Sequence, residues 1–419
     1  MPRHPTASDK VIAMTVSEKN IRQIAVVGAG PAGLVAALAA QKLGFDVQVF
    51  EQAADFAEVG GGVMIHSNGQ RVLAALDLLE SFRPQMVAVT RGIIQGERDK
   101  VLAEIDFAEL EIPHNRVAVV WRYQLQEHLL KAAREKGIEV KFNHGLENLQ
   151  TEADETFLCF ENGEKTRADI VIAADGTNSR TREASGIEFE KIPIGEGWIR
   201  GASDVHLSNQ AFKEIWGDDG RRFGIGPLTE NKTYFYARVP LGEWEAIREN
   251  RLEEWIESWR DFGADAIKIL RGVRDWQKIN YSELYEIHAK EWAKPPVFLV
   301  GDAAHAMTPN VGQGANSAMI DALILLQMLK QANEDDGNLT KVGRDYTNLR
   351  RPFVEKIQNM ARQSGALAAK TSAAAHLARD LIFAVTRNLG FLRRRNLLIS
   401  AGYNPAENKY LDALNDEQH

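Results

Sequence analysis

The feature that most constrains this chain is a glycine-rich turn set between a buried strand and a helix near its start. QIAVVGAG (23–30) is an apolar, β-branched run ending in glycines, and PAGLVAALAAQKLG (31–44) follows as an Ala- and Leu-rich helix closed by Gly44. A second strand, DVQVFEQ (46–52), completes a βαβ unit. Gly28-Ala29-Gly30-Pro31-Ala32-Gly33 is therefore a GxGxxG in the context its chemistry needs. The first glycine permits a tight turn, the second lets backbone approach a pyrophosphate, and the third lets helix pack closely on strand. Glu51 ends the second strand, where a carboxylate accepts hydrogen bonds from ribose hydroxyls; FAD or NAD fits such a site better than NADP.

With 419 residues the chain is long enough for two or three domains and a large core. Its 50 Lys+Arg against 58 Asp+Glu leave a net charge of −8, which excludes a globally basic surface for nucleic acid. The single cysteine, Cys159, cannot form an internal disulfide and reads as an inert sheet residue, so a cytoplasmic location is expected. Residues 1–20 are polar and lack the apolar core of a secretory signal, and read as a loose N-terminal tail. No window approaches the apolar length of a membrane-spanning helix, and no metal site is expected.

Further along, residues 122–142 read as a helix, a stop at Gly137 and a strand, and ADIVIAADG (168–176) reads as a buried strand running into a turn. From about 196 to 290 tryptophan and tyrosine become dense and alternation appears, as in KTYFYARV (232–239), which predicts a mixed sheet with one polar face. At PPVFLVGDAAH (295–305) the buried-strand-then-turn pattern returns, and from about 313 the pattern is helical to near 400. The expected fold is α/β: a discontinuous nucleotide-binding domain (21–195 plus 290–365), an inserted mixed-sheet substrate domain (196–289), and a C-terminal helical segment and tail (366–419).

Two more stretches carry chemistry. Gly301-Asp302-Ala303-Ala304-His305, then Pro309 and Gly312-Gln313-Gly314-Ala315-Asn316, is a strand, a turn and a second glycine-opened helix, whose unpaired N–H groups suit the anionic ring of a reduced flavin. Asp302 stands where it can accept hydrogen bonds from a polyol chain. Asp175-Gly176, continued by Ser179 and Arg182, is the other. These three motifs in this order resemble the class A, single-component FAD-dependent aromatic monooxygenases, whose fold is of the para-hydroxybenzoate hydroxylase type with a Rossmann-like (GR2-type) FAD domain.

The resemblance spans about residues 21–360 and implies tightly held FAD. Gly28, Gly30, Pro31, Ala32, Gly33 and Glu51 match the part that binds the adenosine diphosphate. Gly301 and Asp302 match the ribityl contact, and Pro309 with Gly312–Asn316 matches the pyrimidine edge. Asp175 and Gly176 match a motif linked to both FAD and NAD(P)H, and Arg122, with Leu125 and Leu129, matches a further FAD contact. There is no second GxGxxG, in keeping with NAD(P)H as a transient reductant. The implied activity is hydroxylation or epoxidation of an aromatic or polycyclic small molecule by NAD(P)H and dioxygen, through a flavin hydroperoxide.

Two alternatives stay open: an oxidase or prenyl-chain reductase on the same scaffold, and a non-catalytic, prenyl-binding chaperone-like protein.

On the substrate side, Arg222 and Tyr234, twelve residues apart, resemble the catalytic arginine and tyrosine of the urate hydroxylase branch. Each also reads as an ordinary sheet residue. His66 follows Gly60-Gly61-Gly62 in a loop the family places near the flavin and is a candidate general base. His305 reads as an anchor of its turn. Trp198, Trp216, Phe223, Phe235 and Tyr236 are candidates for an aromatic pocket. Residues 376–403, apolar with arginines at 393–395, are expected to pack over the substrate opening or the FAD domain in preference to touching a membrane. A monomer or homodimer is expected.

Overall fold

Short β-branched runs with no polar face can only be buried on both sides, and three of them form the centre of the first sheet. The computed structural model describes residues 21–56, 61–97, 100–152, 155–207, 211–335 and 337–416, so the expected N-terminal tail lies outside the described residues. In chain order the elements are β1 (Gln23–Val27), α1 (Pro31–Lys42), β2 (Asp46–Phe50), α2 (Ser67–Ala75), β3 (Arg91–Gly96), β4 (Val101–Asp106), α3 (Arg122–Glu135), β5 (Glu139–Lys141) and β6 (Ile170–Ala173). They continue as β7 (Phe189–Ser203), β8 (Ala211–Trp216), β9 (Arg222–Thr229), β10 (Lys232–Val239), β11 (Asn280–Ala289), β12 (Ala293–Lys294) and β13 (Val297–Leu299). Four long helices close the chain's second half: α4 (Gly314–Glu334), α5 (Leu339–Ala368), α6 (Ala373–Asn388) and α7 (Gly390–Ser400).

The first sheet has the order β12-β13-β6-β1-β2-β5. Its central pairs are parallel and in register, Val27 beside Phe50 and Ala173, and Ala173 beside Leu299. Three strands therefore stop at one level, and the turns that leave them, at Gly28, Asp175 and Gly301, open side by side. That is the crevice at the carboxyl ends of parallel strands where ligands bind in open α/β sheets. Residues 32–40 of α1 are all buried, as its apolar circumference requires, because the helix packs against both the sheet and α4.

The second sheet runs β11-β7-β10-β9-β8-β3-β4. Its outer face, with Ile199, Phe223, Phe235 and Ala237, is covered by helices carrying Trp244, Trp255, Trp259, Ile269 and Leu270. Its inner face packs on a small sheet of Gly62–Ile65, Val87–Val89 and Val117–Trp121, with Val89, Val117 and Val119 against Phe212, Leu228 and Tyr234. The sequence reading placed residues 91–106 in the nucleotide-binding part, and the structure corrects this: β3 pairs in parallel with β8, Arg91 opposite Ala211. The partner lies about a hundred residues away in sequence, so no local pattern marks the pairing.

Candidate active site

The glycine loop is shaped by contacts only glycine permits at two of its positions. Gly28 has φ +100°, and a Cβ there would lie 2.5 Å from the Ala174 carbonyl; a Cβ on Gly33 would lie 1.9 Å from the Gly28 carbonyl. Gly30 differs: a Cβ there meets nothing within 4 Å, so this glycine faces open space at the N-terminus of α1. Glu51 braces the loop, accepting from Ala29 N–H at 2.8 Å and Ala53 N–H at 2.9 Å.

The three motifs converge. Gly28 lies against Ala174 and Asp175, and Gly301 (φ +60°) against Ala318 of α4 and Ala32 of α1. Arg182, 1% exposed, ties the second motif to the third by donating to the carbonyls of Ala303 (2.8 Å) and Thr177 (3.1 Å). Asp175 does not present its carboxylate to the crevice. It accepts from Ser179 Oγ (2.5 Å), Thr181 N–H (2.9 Å) and Thr181 Oγ1 (2.8 Å), which makes it the organiser of its own turn. Gly176, with φ +80°, opens on free space.

Asp302 makes no hydrogen bond to a described residue and stands open on the crevice wall. The enclosing protein pushes its carboxyl above the usual value, with the charges of His305 and Arg122 pulling the other way. Arg122 is thus close enough to Asp302 for their charges to interact, though 180 residues separate them. It begins α3, where its N–H donates to Gly61 at 3.1 Å. His305 is the buried anchor the sequence indicated: its Nε2 is 2.5 Å from Asp321, which also accepts from Gly301 N–H (3.1 Å) and Arg350 Nε (2.7 Å). Arg350 in turn bonds Glu407. Burial pushes Asp321 up, yet the charges of His305 and Arg350 outweigh it and hold the carboxyl below its ordinary value.

Gly312 (φ +65°) follows the turn begun by Pro309, and Gly314 and Ala315 open α4 with N–H groups that have no partner among the described residues. The side chains of Gln313 and Asn316 hold this loop in place. Asn316 bonds the backbone of Met64, His66 and Gly312, and Gln313 links Asn68 to the carbonyl of Ser400. His66 is 3% exposed, and neither ring nitrogen has a partner. Its Nε2 lies 3.1 Å from where a Gly312 Cβ would stand. Burial alone pushes this imidazole down to about 4, so it is neutral at physiological pH.

The inner face of the second sheet carries Trp198, Arg200, Phe212, Glu214, Arg222, Tyr234 and Tyr236. Tyr234 lies directly on the Gly61-Gly62 segment, since Cβ atoms on those glycines would fall 2.4 and 3.0 Å from its ring. Gly224 leaves room for Tyr236, whose ring a Cβ there would meet at 2.0 Å. Arg222 is set behind this face. It is 1% exposed, stacks on Trp198 at 4.4 Å, donates to Asn310 at 2.7 Å, and is flanked by Glu214 (3.4 Å) and Glu196 (3.5 Å). Burial raises the Glu214 carboxyl, opposed by Arg222, and raises the phenols of Tyr234 and Tyr236. Phe223 and Phe235 belong to the opposite, covered face, so only part of the expected aromatic set faces the crevice. Met64, Phe107, Phe212 and Arg200, which the sequence did not single out, stand with Tyr234 and Tyr236.

These residues fit FAD on structural grounds: an open cradle at Gly30, the Asp302 carboxylate, Arg122 guanidinium and His66 imidazole without hydrogen-bond partners among the described residues, and the amides at the start of a 21-residue helix that also have none there. Such a crevice facing an aromatic sheet defines a two-part flavoprotein. The chain belongs to the FAD binding domain family, whose model matches residues 22–361.

Among similar curated proteins, an FAD-dependent urate hydroxylase of Mycolicibacterium vanbaalenii is 28% identical over 323 residues, covering 75% of this chain and 81% of its own. A probable 2-heptyl-3-hydroxy-4(1H)-quinolone synthase of Rhodococcus erythropolis is 27% identical over 359 residues, covering 82% and 87%. The solved structure of Klebsiella pneumoniae HpxO with FAD and uric acid has a TM-score of 0.76 at 22% identity, covering 90% of this chain and 97% of that one. The fold is shared. The family and these relatives make the chain a single-component FAD-dependent monooxygenase in kind.

Proposed function

We propose that this protein inserts one oxygen atom from dioxygen into an aromatic or heteroaromatic small molecule, using NAD(P)H as reductant. The observation that carries the reading is the convergence of three distant turns on one crevice that faces a sheet of aromatic side chains. FAD, when bound, supplies hydride acceptance and oxygen activation. Gly30, the first turn of α1, Glu51 and Arg122 would hold its dinucleotide part, Asp302 its polyol chain, and the Gly314 and Ala315 amides its anionic pyrimidine edge.

The remaining chemistry falls to the protein. Tyr234, Tyr236, Phe212 and Phe107 offer flat apolar contacts that orient a ring and exclude water. Glu214 and Tyr236 stand on either side of Gly224 in the sheet, and the Glu214 carboxylate can accept a proton from a ring N–H or O–H. Arg222, with its charge matched by Glu196 and Glu214, supports this pair instead of reaching a substrate, which favours an uncharged ring over an anionic one. His66 serves as a neutral hydrogen-bonding group. A screen of uncharged phenols and heteroaromatics for stimulated NAD(P)H oxidation, with oxygen uptake and peroxide followed together, tests the proposal. One oxygen consumed per product without peroxide supports it; turnover without oxygen overturns it.

A further inference from the structure

The C-terminal helices pack beside the edge strands β3 and β4 of the second sheet, with their less apolar side. α6 docks through Phe383, whose ring lies 5.5 Å from Trp216, through Arg379, which is 3% exposed, and through Asp380, bonded to Lys100 at 2.6 Å. At 100° per residue those three share one side of the helix. Leu377, Leu381 and Val385, spaced i, i+4, i+8, lie on the other side and are 73, 63 and 46% exposed. Leu389 (47%) and Phe391 (73%) continue the stripe into α7. α7 docks through Leu397 and Ala401 against Leu110 and through Arg393 on Glu109 (2.5 Å). Phe391 then stands one turn from Arg395 on the free side, and exposed Arg394 and Arg395 form no ion pair with a described residue. A contiguous run of large apolar side chains left in water marks an interaction site. Here it is bordered by cations, in a chain whose net charge is −8.

We infer that the α6–α7 hairpin is a docking surface for an anionic phospholipid bilayer. The leucine stripe and Phe391 enter the acyl boundary, and Arg394 and Arg395 sit on the phosphates, which is the pattern of a helix lying in the interface plane. The charges that border the stripe are basic, so pairing it with a second copy gains no complementary charge. The hairpin stands at the crevice: Gln313, the cap of α4, donates to the Ser400 carbonyl at 2.7 Å. An apolar ring dissolved in lipid could pass from this surface to the aromatic face. No helix among the described residues is long and apolar enough to span the bilayer, so the contact is with one leaflet.

Co-sedimentation of the full-length, FAD-loaded protein with phosphatidylcholine vesicles, with and without added phosphatidylglycerol, tests this. The protein should pellet with the anionic vesicles and weakly with the neutral ones. Arg394→Ser with Arg395→Ser should lower the partition coefficient about thirtyfold at low salt. Leu377→Gln with Leu381→Gln and Phe391→Ser should abolish binding while leaving flavin absorbance unchanged. Absence of pelleting by wild type, or equal pelleting by wild type and the leucine variant, overturns the inference. So does sedimentation velocity without lipid that finds a dimer which the leucine variant converts to monomer, because the stripe then belongs to a second copy.

Discussion

His66 gives the most demanding quantitative check of the site. Its imidazole is buried with both nitrogens unpartnered, and burial lowers its value from 6.5 to about 4. The sign follows directly: the unfolded chain takes up the proton first as pH falls, so the stability held by the neutral ring is full above about 6.5 and is lost progressively toward 4. From these two values, His66 alone should cost about 2 kcal/mol of stability between about pH 7.5 and about pH 5, and about 3 kcal/mol once both states are protonated. Urea unfolding of the FAD-free wild type and FAD-free His66→Gln isolates this contribution, because every other titrating group is common to both proteins. The difference between their stabilities should change by about 2 kcal/mol across that range. Parallel pH dependences, agreeing to within a few tenths of a kcal/mol, would refute a buried, unpartnered ring.

Three other perturbations separate the roles assigned above. Asp302→Ala should weaken FAD binding roughly tenfold to a hundredfold, read by flavin fluorescence titration, while the melting point of the apoprotein stays unchanged. Arg222→Ala leaves Glu214 buried without its cation, and Glu196 with only Arg238 at 3.7 Å, and should destabilise the fold by about 3–5 kcal/mol, seen in thermal melts. It should also raise peroxide leakage more than it weakens flavin binding. Gly224→Ala pushes a methyl group into the Tyr236 ring and should cost about 1–3 kcal/mol. Its kinetic signature is a raised KM for the aromatic substrate with unaltered FAD affinity.

The turns that line the crevice were legible in part, where their physics is local. Gly33 is forced by a contact within the strand–turn–helix unit, whereas Gly28 is closed in by Ala174 and Asp175 of a distant turn, and Gly30 faces open space at the start of α1. Periodicity also located β1, α1, β2, α3 and β13 to within a few residues. The substrate side was far less legible. Alternation marked β10 as a strand, but which of Tyr234 and Phe235 faces the crevice depends on the side that the Trp255 and Trp259 helices cover.

What the sequence determined by itself is therefore the strand–glycine–helix pattern of each turn, whereas bringing Gly28 onto Ala174 and Gly301 onto Ala318 and Ala32 needed the fold. Only the tertiary structure decided how the two sheets meet. It drew β3 and β4 into the second sheet, matched Arg222 with Glu196, Glu214 and Asn310, placed the Tyr234 ring on Gly61, and left the α6 leucines in water. The physical reason is one of range. A backbone turn answers to adjacent residues, whereas burial of a charge, a ring or a stripe depends on what the rest of the chain brings against it.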